Sequence, residues 1–68
     1  MVKILNEKYD KETIVMLKEA IRDEKDAIKT YQTILKKCKD LDSDGIDKIT
    51  EILNDEKDHL NILQEMIK

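Results

Sequence analysis

Proline, phenylalanine and tryptophan are absent from this 68-residue chain, and glycine and cysteine each occur once. With no proline and a single glycine there is little to punctuate a sheet or a turn-rich fold, so the composition favours long helices. One cysteine, Cys38, cannot close an intrachain disulfide, and no CxxC pair exists, so a reducing cytoplasmic setting is expected. Cys38 falls on the apolar side of the pattern below and reads there as a small buried hydrophobe rather than a reactive thiol. Long apolar runs are also missing. The run IVML at residues 14–17 is far short of a membrane span, and the opening MVKILNEKY lacks the apolar core and small-residue cleavage site of a signal peptide.

Charged residues make up 43% of the chain and both signs are interleaved along it, with a net charge of -3. No basic stripe stands out in the linear sequence, so a nucleic-acid surface is not expected. A lone core of this size is marginal, and a metal, idealised packing or a partner is expected to support it.

The apolar residues carry a helical period. Ile14, Leu17, Ile21, Ile28, Tyr31, Leu35 and Cys38 follow one another in steps of three and four, with one gap at Glu24. A second stripe runs through Ile46, Ile49, Leu53, Leu60, Leu63 and Ile67, with its gap at Glu56. The first helix is expected over about residues 11–39, capped by Asp10 and fraying near Lys39. The second is expected over about 44–67, capped by Ser43 or Asp44, with Asp47 adding a favourable charge to its first turn. A turn over about 40–43 joins them in a single domain, residues 1–68. No internal repeat is evident, and in residues 1–9 Val2, Ile4 and Leu5 are available to cover an end of the core, with no conformation fixed by the pattern.

If the helices fold back through this short turn, residues at equal height have numbers adding to a constant. Ile14 with Ile67, Leu17 with Leu63, Ile21 with Leu60, Ile28 with Leu53, Tyr31 with Ile49 and Leu35 with Ile46 all add to 80 or 81, and Glu24 with Glu56 adds to 80. Two glutamates therefore face each other inside one apolar seam, with His59 one turn beyond Glu56. Buried carboxylates without partners cost several kcal/mol or take up a proton, and two together repel. A bound cation, a shared proton or local hydration would offset this. Two carboxylates with an imidazole suit Fe, Mn or Zn, whereas calcium and magnesium want oxygen donors alone. Three donors from one chain make a poor site, and one hairpin leaves its stripes half covered. Pairing two hairpins into a four-helix bundle repairs both defects.

The segments EKDAIKTY (Glu24, Ala27, Tyr31) and EKDHLNIL (Glu56, His59) resemble the first- and second-helix motifs of the rubrerythrin and ferritin-like di-iron superfamily. The resemblance spans about residues 11–67 and amounts to half a bundle, similar to the encapsulated-ferritin type, whose site forms across a dimer interface. It implies a homodimer or larger even-numbered oligomer with two Fe per dimer, Mn or Zn being the other ions the donors suit. Glu56 would be a bridging carboxylate, Glu24 a terminal or second bridging one and His59 a terminal ligand, and these three would form the catalytic set. Tyr31 would stand beside the ligands, or equally be a core tyrosine. Ala27 would leave room for metal, or be simply a helix former. The implied activity is oxidation of Fe(II) by O2 or peroxide, as a ferroxidase or a peroxide-reducing oxidoreductase.

The chain departs from the family in lacking a rubredoxin-like CxxC pair, so a self-contained peroxidase is not expected and any redox partner would be another protein. It also ends at Met66-Ile67-Lys68, so a compartment-targeting tail is not expected. Two other readings compete. A metal-free hairpin acting as an interaction or structural module accounts for the stripes and the charge. Asp40 to Glu51, DLDSDGIDKITE, fits the twelve-residue calcium-loop pattern, with Gly45 at the bend and the atypical Asp47 at its eighth position.

Overall fold

The computed structural model describes residues 8–68, which form two helices and no strand: α1, Lys11–Lys37, and α2, Ser43–Met66. The N-terminal residues 1–7, with Val2, Ile4 and Leu5 that are available to cover an end of the core, lie outside the described residues. The helices run side by side as an antiparallel hairpin 53 × 20 × 14 Å in extent, and neither is long and apolar enough to cross a membrane.

Each helix starts on an aspartate with extended backbone. Asp10 accepts a hydrogen bond from the Thr13 amide at 2.8 Å, and Asp42 accepts one from the Gly45 amide at 2.7 Å. The cap of α2 is thus Asp42, not Ser43 or Asp44, and the first-turn acid is Asp44 rather than Asp47. An Asx side chain three residues before a free amide reaches it best when its own backbone is still extended, which here holds at residue 42. Asp44 instead pairs with Lys48 at 3.0 Å on the exposed side. A side chain at Gly45 would meet Leu41 Cδ2 at 3.0 Å and Asp42 Oδ1 at 3.2 Å, so the glycine gives the cap its close approach. Substituting Asp42 with alanine is expected to cost about 1 kcal/mol, lowering Tm by roughly 4–8 °C in a chain of this size. Asp42→Asn, which keeps the acceptor, should melt close to wild type, and thermal scans of the two variants check this.

At its other end α1 stops at Lys37, two residues early, with Lys36 and Lys37 in the last turn beside its exposed carbonyls. Cys38 is the C-cap, in extended conformation, its amide donating to the Ile34 carbonyl at 3.0 Å. Leaving the helix takes its thiol off the apolar stripe, and Cys38 is exposed rather than buried. Ile46 also departs from expectation. It lies in the first turn of α2, beside the end of α1, and is 44% exposed.

The early start of α2 removes the calcium loop. Residues 43–51 are helical, so the stretch from Asp40 to Glu51 does not wrap around a common point. Asp40, Asp42 and Asp44 form no metal-sized group.

Packing between the helices is thin. Among the described residues only Ile21 and Leu53 are buried, and Ile14, Leu17, Ile28, Leu35, Ile49, Leu60 and Leu63 are half-covered. At about 100° per residue, Ile21 and Leu53 mark the line of contact. Glu24 and Glu56 lie to one side of that line, together with Ala20, Ala27, Ile34, Ile52, His59 and Met66. The hairpin therefore has two unlike broad faces, one apolar with the glutamates and histidine, the other polar.

Candidate metal centre

Glu24 projects from the middle of α1, and Glu56 and His59 from the middle of α2, one turn apart. Residues three apart on a helix share a face, and the antiparallel register brings Glu24 to the same height. Oxygen atoms of the two glutamates and a ring nitrogen of His59 all lie within 4.8 Å of one another, and this is the one such group of three among the described residues. His59 Nδ1 stands 3.4 Å from Glu56 Oε1 and 4.0 Å from Glu24 Oε2. Two donors each about 2.0–2.2 Å from one ion stand roughly 3–4 Å apart, so these spacings suit ligands of a common cation as well as a loose ion pair.

The glutamate side chains are 24% and 22% exposed, while His59 is 57% exposed toward the open apolar face. Glu24 is the strained member. Its Oε1 is shut off from solvent and has no hydrogen-bond partner. A hydrogen bond to Glu56, open only to the protonated acid, raises its carboxyl above the ordinary glutamate value of 4.5; lost hydration and the Glu56 charge add to the rise, and His59 opposes it. A cation between the two carboxylates would relieve all three causes together.

The sign of the resulting pH dependence follows from linkage. An acid whose folded value is raised contributes stability that is complete below its unfolded value and is lost as pH climbs through the folded one. Chelator-treated protein should therefore lose thermal stability, relative to Glu24→Gln, as pH rises above 4.5. Melting curves of both proteins between about pH 4 and about pH 7 test this, and parallel trends would contradict it.

Tyr31 is half-buried two turns from Glu24, and its hydroxyl makes no hydrogen bond to a described residue. The structure brings Glu24, Glu56 and His59 together. Ala27 lies on the site's face of α1, half-covered.

The site also exposes a regularity missed in the linear sequence. With an offset of 32 residues, Asp10–Lys36 aligns with Asp42–Lys68 at nine identical positions out of 27, including DEKD at 23–26 and again at 55–58. The offset matches the two caps, Asp10 with Asp42, the two buried residues, Ile21 with Leu53, and the two site glutamates, Glu24 with Glu56. The chain does contain an internal repeat: one helical unit occurs twice and folds back on itself about a pseudo-twofold axis at the glutamates. His59 is the exception, since its counterpart is Ala27.

Fold and cluster together define a duplicated helical hairpin with a two-carboxylate, one-imidazole centre on its open apolar face. No family model matches the chain, and no curated protein or solved structure matches it at a significant level.

Proposed function

We propose that the chain is a di-iron carboxylate protein in which two hairpins pair across the face bearing Glu24, Glu56 and His59 and hold two metal ions between them. The observation that carries this reading is the sequestered, unpartnered Glu24 Oε1, opposed by a second carboxylate and an imidazole at ligand spacing. A buried polar atom of this kind normally has a partner, and two carboxylates facing each other beside an imidazole are a ready cation site.

The thin packing supports pairing. With Ile21 and Leu53 as the only buried hydrophobic residues among those described, each hairpin has half of its apolar arc left to cover. Met16 and Ile62 are 60% and 59% exposed, and Ile52, 38% exposed, lies on the site's face. Two hairpins together would supply four glutamates and two histidines, the inventory of a ferritin-like centre. Anionic oxygen donors favour the ferric state, and the softer imidazole keeps affinity for Fe(II), with Mn and Zn also suited to the set.

Bound as a pair, iron supplies redox chemistry in which O2 or peroxide is the electron acceptor. The chain's own residues do the rest. Glu24 and Glu56 would hold the ions as carboxylates that neutralise their charge, and Leu17, Ile28, Leu60 and Leu63, above and below them, would keep bulk water out. His59 Nδ1 faces both carboxylates and fixes the third donor. On this reading Fe(II) is the substrate and is oxidised faster with the protein than in buffer alone. His59→Ala should remove most of that acceleration, measured by Fe(II) loss and O2 uptake together; equal rates with protein and with buffer would refute the oxidase reading.

A further inference from the structure

The two repeats have kept their acids and changed their bases. Glu12, Glu19, Asp23 and Asp26 on α1 have acidic counterparts in Asp44, Glu51, Asp55 and Asp58 on α2. Lys18, Arg22 and Lys29 instead correspond to Thr50, Asn54 and Asn61. At about 100° per residue, Lys11, Lys18, Arg22, Lys25, Lys29 and Lys36 fall within one arc of roughly 60° on α1, six of that helix's seven basic residues. The stripe hidden by interleaving in the linear sequence is thus present on the folded helix. It faces away from Glu24, across the line of contact, and the matching arc of α2 carries Ser43, Thr50, Asn54, Lys57, Asn61 and, just past the helix end, Lys68, with Gln64 bordering it. No carboxylate projects from either arc. A protein with a net charge of -3 so carries one broad face of hydrogen-bond donors.

Where the two arcs converge the structure has a groove of about 690 Å³. Its floor is Ile21 and Ile67, one wall is Lys18, Arg22 and Lys25, and the other is Asn61, Gln64 and Lys68. Glu65, at the rim, is held by Lys68 Nζ at 3.2 Å. Lys18, Arg22 and Lys25 have no carboxylate within ion-pair distance among the described residues. Cations from one helix, neutral amide donors from the other and a walled apolar floor are complementary to a compact oxyanion carrying two or more charges. Guanidinium suits the fork geometry of a phosphate in particular.

We infer that this groove binds a small phosphate-bearing anion of the diphosphate or nucleotide class, on the face opposite the glutamates, where pairing through the apolar face leaves it open. The probe is inorganic pyrophosphate, titrated into chelator-treated full-length protein and followed by amide chemical shifts and calorimetry. Expected are saturable shifts concentrated at Lys18, Arg22, Lys25, Asn61 and Gln64. The double variant Arg22→Ala, Lys25→Ala should weaken affinity by at least about 10-fold, while Lys37→Ala, which removes one positive charge near the far end of α1 and about 90° from the stripe, should change it less than about twofold. Circular dichroism of each variant separates lost binding from lost folding, and Arg22→Lys provides a milder second variant that should fall between. The inference fails if millimolar pyrophosphate causes no shifts, if Lys37→Ala weakens binding as much as the groove variants do, or if a short DNA duplex binds where pyrophosphate does not.

Discussion

Glu56→Ala should reduce bound iron from about one per chain to essentially none. Losing a partner that merely orients a metal ligand typically costs about 10–100-fold in affinity, and Glu56 would be a direct ligand, so the loss should exceed that range. The same change removes the charge facing Glu24, so the metal-free variant should melt above metal-free wild type. Together the two effects are diagnostic: the residue destabilises the empty protein and is required for the loaded one. Metal analysis after desalting and melting curves with chelator measure both. A stabilised variant with unchanged metal content would mean that the glutamates hold no metal.

Ile52→Lys should be nearly as damaging by a different route. Ile52 is already 38% exposed in the single hairpin, so a lysine there leaves the α1–α2 contact in place and helical content should be retained. In the proposed pair of hairpins the same position would face the second copy, and an unpaired ammonium would have to be desolvated, at a cost of several kcal/mol per ion. Counted twice in a symmetric dimer, that suffices to dissociate it. Light scattering should therefore report about 8.0 kDa for the variant, and iron binding should be lost although all three ligands remain. A dimer that survives Ile52→Lys would place the interface elsewhere.

The cluster of two glutamates and a histidine was more legible in the sequence than its surroundings were. The two helices and their antiparallel register follow from periodicity, and periodicity is interrupted at Glu24 and Glu56 because carboxylates occupy seam positions otherwise apolar. His59 could be added because one residue type at three-residue spacing has a defined direction on a helix. The ends of the helices were less legible. Asp42, Ser43 and Asp44 can each cap a helix, and only the backbone conformation selects Asp42; the stop at Lys37, which exposes Cys38, likewise rests on local geometry with no glycine or proline to signal it.

The repeat was open to view in the two DEKD segments but obscured by the loss of identity at the apolar positions, where isoleucine, leucine and methionine replace one another freely. The basic stripe was hidden for a related reason. In the linear sequence four of the seven bases of α1 are followed at once by an acid, as in Lys18-Glu19 and Arg22-Asp23, and a step of about 100° moves that neighbour to another face. Charges that alternate along the chain are sorted in space.

The most direct measurement of the central claim is elemental analysis of protein loaded with Fe(II) in air and freed of excess metal, with molar mass read by light scattering on the same fraction. About one iron per chain in a dimer or larger even-numbered assembly is expected. A folded, stable oligomer holding no iron, manganese or zinc would contradict it and leave the paired glutamates as part of a metal-free interaction module.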